Sequence, residues 1–377
     1  MNALLGPLVV LPSGEAMEGT VVFDHVIREV IPGTRPLKGH RVMDCRGLWL
    51  TPGLMDLHIH GIGGHDACDG TPEALEAMSC RLASHGVTAF CPATMTLPEG
   101  EIRRVLGSIR SRMGRPMPGA RLIGAHLEGP FISPERPGAQ DRSFITGPKP
   151  ELLEDFKDVI RIVTFAPERD PDWVLLDTAL RLGITASAGH SNASYEEAQR
   201  AFMRGVMSVA HLFNGMAPYH HRTPGLVGAA LDYPSVFCEV IVDGVHCHPS
   251  AVRLALKAKG EDKLVLISDS MRGAGLGDGT FSLGGQEVTV SQGVARLKEG
   301  AIAGSVITLD QAVRNYGAYT GLRFERAVKG ATLNPANLLG DKTSGAIAPG
   351  RRADMVLWGP GGEVVRTYVN GMEVFCR

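Results

Sequence analysis

The chain has 377 residues, enough for one large domain and a smaller one. Hydrophobic residues at 44% and charged residues at 21% describe an ordinary globular protein, and a net charge of -2 removes any electrostatic case for nucleic acid. Seven scattered cysteines without a C-x-x-C, no apolar run near about 18 residues and no basic residue ahead of the Pro-interrupted start predict a cytoplasmic protein. They predict reduced thiols, no signal peptide and no membrane span.

In chain order, residues 1 to 50 alternate apolar stretches with Gly and Pro turns, and Leu8–Leu11, Gly19–Phe23, Val26-Ile27 and Leu48–Leu50 read as strands. A second rhythm then begins, with apolar runs at 54–59, 87–93, 121–127, 160–166, 184–188, 206–210, 236–242 and 264–268. Helical spacing lies between most of them: Ile102, Val105, Leu106 and Ile109 follow i, i+3, i+4, i+7. Ser194 to Glu197 is a capping-box signature closed by Gly205, and Pro249 and Gly260 bracket another helix. Eight strands alternating with helices predict parallel strands with crossovers, and eight is the number that closes a (β/α)8 barrel. Thr308 to Gln311 reads as one more capping box. Strand-like pieces return at 353–358, 364–369 and 373–375. The expected organisation is therefore a barrel over 51–342 flanked by a small β-sandwich built from 1–50 and 343–377. The glycine loops at Gly61–Gly64 and Gly273–Gly277 lack G-x-G-x-x-G spacing, and neither reads as a nucleotide loop.

The chemistry gathers at strand ends. His58 and His60 stand at i and i+2 of an extended run and share a face, which suits a divalent metal. Glu128 ends the third run, His190 follows the fifth, His211 the sixth and Asp269 the eighth. The carboxyl ends of barrel strands meet at one mouth, so four imidazoles and two carboxylates should converge there. His126 lies two residues before Glu128, and a supporting or core role is open to it as well as one in the site. His65, His85, His220, His221 and His248 read as structural.

His58-Ile59-His60, His126-Leu127-Glu128-Gly129-Pro130, Gly189-His190, His211 to Met216, Arg222 to Gly225 and Asp243 to His246 resemble the amidohydrolase superfamily. Within it they are most similar to the N-acetylglucosamine-6-phosphate deacetylase family, and Ile302 to Ser305, Asn334 to Ala336 and Ala348 to Asp354 extend the likeness. The resemblance implies the same barrel and sandwich. It implies a principal metal on Glu128, His190 and His211, a second ion on His58 and His60, and proton transfer by Asp269. It implies sugar-phosphate contacts from Asn214, Gly215, Arg222 and His246, with Ala139, Gln140, Ile302, Ala303 and Gly304 around the substrate. It also implies a homodimer in which Arg222 reaches the neighbouring site.

One or two divalent ions per chain are expected, zinc first, with iron, manganese or cobalt compatible with the same ligands. The expected reaction is hydrolysis of the N-acetyl amide of N-acetylglucosamine 6-phosphate. The galacto epimer is next, then N-acyl amino acids or cyclic amides, and last a non-catalytic scaffold. One position departs from the family pattern: Gln140 stands where relatives usually carry a histidine that contacts the reacting acyl group, so it should offer a donor without a titratable proton.

Overall fold

Eight short strands carry the middle of the chain: β1 (Leu54–Ile59), β2 (Val87–Pro92), β3 (Ala125–Glu128), β4 (Ile160–Phe165), β5 (Thr185–Ala188), β6 (Ser208–Val209), β7 (Phe237–Ile241) and β8 (Leu264–Ile267). The computed structural model describes residues 1–35 and 37–377. Nearly every residue of these strands is buried, as expected where both faces of a parallel sheet are covered, and this is why they read as unbroken apolar runs. All the pairings among them are parallel.

The strands form two arcs. One runs β1, β2 and the short piece Arg121–Leu122, and the other runs β3 to β8 in chain order. The apolar run at 121–127 is thus split at Gly124, whose φ of 147° and closeness to the Val159 carbonyl (2.7 Å from an added Cβ) admit no side chain. At their carboxyl ends the arcs are laced together. Thr94 N donates to His126 O (3.0 Å), Asp269 N to His58 O (2.9 Å) and His60 N to Ser270 O (2.9 Å).

The helices between the strands follow their sequence signals. Glu99–Arg112 buries Ile102, Val105, Leu106 and Ile109; Ser194 and Glu197 form the capping box of Tyr195–Arg204; Pro249 opens Pro249–Lys259. The box expected at Thr308 does not form. Thr308 is the N-cap of Leu309–Thr320 but caps no backbone N–H with its side chain, and the Gln311 side chain that would return a bond is engaged by Asn315 and Arg314 on the same helix.

Both chain ends enter one eight-stranded sheet. Its order is Met372–Cys376, Val364–Val369, Met355–Trp358, Trp49–Pro52, Asn2–Val10, Ala16–Phe23, Ile27–Pro32, with Arg41–Asp44 beside the first half of Asn2–Val10. Met355–Trp358 runs antiparallel to Trp49–Pro52, so the two ends meet with Val356 opposite Thr51. Leu4, Val21, Phe23, Leu50, Met355 and Tyr368 form its core. The strand Arg41–Asp44 gave no apolar signal, since its residues are mostly exposed and it is held by backbone pairing. After β8 a three-stranded antiparallel sheet, Gly279–Leu283, Gln286–Ser291 and Val294–Leu297, packs Leu283, Val288 and Ala295 against Met95, Met271 and Ala303. Among the described residues no helix is long and apolar enough to cross a membrane.

Candidate active site

The carboxyl ends of the eight strands hold the chemistry. His58 lies in β1 with His60 just beyond it, and Glu128 is the last residue of β3. His190, His211 and Asp269 each stand two residues past β5, β6 and β8. All three adopt left-handed backbone, with φ of 46°, 29° and 46°. For non-glycine residues this conformation costs energy and is held by the surrounding structure, a pattern common where side chains must be aimed.

Glu128 is the hub. Its Oε1 lies 2.9 Å from His211 Nε2, 3.1 Å from His190 Nε2 and 3.3 Å from His58 Nε2, while its Oε2 lies 3.3 Å from His60 Nε2. His60 Nε2 is also 3.2 Å from Asp269 Oδ1. The tautomers follow from the far ring nitrogens. His190 Nδ1 meets the Arg136 carbonyl at 2.9 Å and His211 Nδ1 the Asn214 carbonyl at 3.1 Å, and carbonyls only accept. Both Nδ1 atoms therefore carry hydrogen in the neutral rings. That leaves two bare Nε2 lone pairs 3.1 Å apart, facing a carboxylate oxygen. Three acceptors aimed at one point require a cation between them, and a His/His/carboxylate set suits a divalent metal. Glu128, His190 and His211 place ligand atoms within 4.8 Å of one another, as do His58, His60 and Glu128.

Electrostatics say the same. Burial opposes charge on His60, yet the Asp269 and Glu128 carboxylates push its pKa up to about 10. Burial likewise works against a charged Asp269, but His58 and His60 hold it down at about 2. In the absence of a metal, protons supply the positive charge this cluster demands.

Above the cluster opens a pocket of about 220 Å³ lined by His60, Glu128, His190, His211 and Asp269. Asn214, Gly215, His246, Ala139, Gln140, Ile302 and Gly304 also line it. His246 is clamped by Asp243 (Nδ1 to Oδ2, 2.7 Å); burial resists its charge but that carboxylate raises its pKa. Two of the residues expected around the substrate stand apart. Ala303 is fully buried and packs with Met271 and Leu283 beneath the pocket wall. Arg222 lies on an exposed segment beside His221 (Nη1 to Nε2, 2.9 Å) and does not line the pocket of its own chain.

The amidohydrolase family model matches residues 49–374, most of the chain. The chain belongs to the amidohydrolase family. Two curated relatives cover most of this amidohydrolase. The N-acetylglucosamine-6-phosphate deacetylase of Bacillus subtilis is 38% identical over 335 residues, 86% of this chain and 84% of that protein. The N-acetylgalactosamine-6-phosphate deacetylase of Escherichia coli O157:H7 is 35% identical over 327 residues, 85% of this chain and 86% of that protein. Among solved structures, the N-acetylglucosamine-6-phosphate deacetylase of Thermotoga maritima superimposes with a TM-score of 0.90 at 35% identity, covering 100% of both chains.

Two features of the amidohydrolase site go beyond the sequence reading. Gln140 lines the pocket but is also tied to the site itself: its Nε2 donates one hydrogen to Glu128 Oε2 at 2.7 Å and its Oε1 accepts from Thr96 N at 2.6 Å. Bonded to Glu128 on one side and to Thr96 on the other, the amide steadies the hub carboxylate. Glu239 went unnoticed. It is fully buried in β7 with Oε2 3.0 Å from His58 Nδ1, and the available signal was a single carboxylate inside the apolar run 236–242. His126, left open by the sequence, is buried with Nδ1 on the Leu57 carbonyl (2.9 Å) and Nε2 on Thr164 Oγ1 (2.7 Å). Burial and the nearby His58 lower its pKa to about 4, so it stays neutral.

Proposed function

We propose that this chain hydrolyses the N-acetyl amide of an N-acetylhexosamine 6-phosphate, N-acetylglucosamine 6-phosphate first, releasing acetate and the amino sugar 6-phosphate. The observation that carries the proposal is the convergence of bare His190 and His211 nitrogens on Glu128, with Asp269 beside them, at the floor of a monosaccharide-sized pocket. Glu128, His190 and His211 would hold the principal divalent ion, zinc by preference, and His58 and His60 a second. When bound, such an ion supplies Lewis acidity toward the amide carbonyl and makes water acidic enough to attack near neutral pH.

The remaining steps belong to the protein. Asp269, held in its ionised form, takes the proton from water as oxygen adds to the acyl carbon. It then delivers that proton to the amide nitrogen as the C–N bond breaks, so an amine leaves instead of an amide anion. His246, oriented by Asp243, meets the sugar phosphate with a charge-assisted donor, and Asn214 and Gly215 fix the ring. Arg222 completes the phosphate site of a neighbouring subunit in a homodimer; its exposure and its distance from its own pocket support that role. We read the two parallel arcs as one (β/α)8 barrel over 51–342, supported by the backbone hydrogen bonds between their ends, and 1–50 with 343–377 as its β-sandwich. Seven unpaired cysteines support a cytoplasmic setting.

The test is a product assay with zinc-loaded protein on N-acetylglucosamine and N-acetylgalactosamine, each with and without the 6-phosphate. Acetate release should require the phosphate and favour the gluco epimer. No release from any phosphorylated sugar by fully metal-loaded protein overturns the substrate assignment.

A further inference from the structure

We propose that Glu239 is a positioning residue that makes the first-strand histidines competent to hold a second divalent ion. The inference rests on the metal-dependent reading above and goes further, assigning a role to a residue outside both expected ligand sets.

Glu239 sits in β7 with its side chain fully buried, and its single ion-pair partner among the described residues is His58. That contact decides the tautomer of His58. A carboxylate on Nδ1 keeps the hydrogen there and turns the Nε2 lone pair toward Glu128 and Asp269, at 3.3 and 3.7 Å. This Nε2 is buried without a hydrogen-bond partner, so it is aimed at something the protein itself does not provide. His126 cannot satisfy it. Both its ring nitrogens are already engaged, and its ring packs against His58 at a tilt of 52° with centroids 4.2 Å apart, fixing the ring from the side.

Glu239 thus acts on the second position through the orientation of His58.

The experiment measures zinc stoichiometry and stepwise affinity of the full-length protein by competition with a chromophoric chelator. The proteins are wild type, Glu239→Gln, His58→Asn and the double variant. Wild type should take two ions. Glu239→Gln should keep the tight ion at wild-type affinity and bind the second about 10- to 100-fold more weakly, the usual consequence of losing a ligand's hydrogen-bond partner. The double variant should be no worse than His58→Asn alone, because Glu239 acts through His58. The unchanged tight ion reports that the fold survives. If Glu239→Gln does not fold, Glu239→Asp replaces it, with weakened binding of the second ion expected and unchanged binding of both ions counting against the proposal. Two ions at wild-type affinity in Glu239→Gln, a single ion in wild type, or additive losses in the double variant would overturn it. Deacetylation by wild type is assayed separately: two tightly ordered ions without deacetylation would sink the substrate reading and leave the Glu239 assignment standing.

Discussion

Gln140→Leu removes two short hydrogen bonds from the centre of the site with little change in volume, and the structure permits an estimate of the cost. The bond from Nε2 to Glu128 Oε2 (2.7 Å) has a charged acceptor, and losing such a bond costs about 1.5–3 kcal/mol. The bond from Thr96 N to Oε1 (2.6 Å) is also lost, and Thr96 is buried, so its N–H is left without a partner at about 1–3 kcal/mol. The leucine returns about 1 kcal/mol through apolar burial. A net loss of about 1.5–5 kcal/mol should follow, a large part of the roughly 5–15 kcal/mol that holds a domain together. Chemical unfolding of both proteins at one fixed zinc concentration reads the difference directly. Gln140→Glu adds a discriminating arm. It keeps an oxygen for Thr96 N but sets a second carboxylate against Glu128, so its cost at pH 7 should shrink as the pH falls below about 5. A Gln140→Leu difference under about 0.5 kcal/mol would refute the reasoning, because the amide would then not be holding Glu128 in solution.

Asp310 carries an acid dependence unconnected with metal. Burial opposes its charge, but the hydrogen bond from His85 (3.2 Å) and the Arg314 guanidinium paired with it (2.9 Å) hold its pKa at about 2 against an ordinary 3.8. Its folded value is depressed, so its contribution of about 2 kcal/mol is present above pH 4 and lost as the pH falls toward 2. Asp310→Asn should be destabilised at pH 7 and converge with wild type near pH 2 in paired melting curves. Lys259 is buried at the end of Pro249–Lys259 and donates to the Ala230 carbonyl at 2.8 Å and to that of Tyr233. Lys259→Met should cost about 1–3 kcal/mol by stranding those carbonyls, and a melting temperature equal to wild type would exclude the role. Asp269→Asn should slow acetate release at least about 10²-fold while elemental analysis finds the tight ion retained. Loss of that ion would make Asp269 a ligand instead of a proton carrier.

Most of the site was legible because its residues are tied to local pattern. His58 and His60 announce themselves by two-residue spacing, and Glu128, His190, His211 and Asp269 each follow an apolar run, so strand periodicity alone brings them to one end of the molecule. The Ser194 capping box and the Pro249 start are equally local, since a cap needs only a side chain within three residues of the N–H it satisfies. Thr308 shows the limit. The same spelling caps nothing there, and the Gln311 side chain bonds Arg314 and Asn315 on its own helix instead.

The sequence by itself determined the alternation of strands and helices, the pairing potential of the two β-rich ends and the identity of the six converging side chains. Each of these depends on hydrophobic periodicity or on residue type at a strand end. Tertiary structure alone decided the partners. Only folding brings Glu239 from β7 under His58, ties Gln140 between Thr96 and Glu128, and buries Ala303 while leaving Arg222 exposed. Those outcomes rest on contacts a few ångströms long between residues as far as 181 positions apart, and no periodicity along the chain records them.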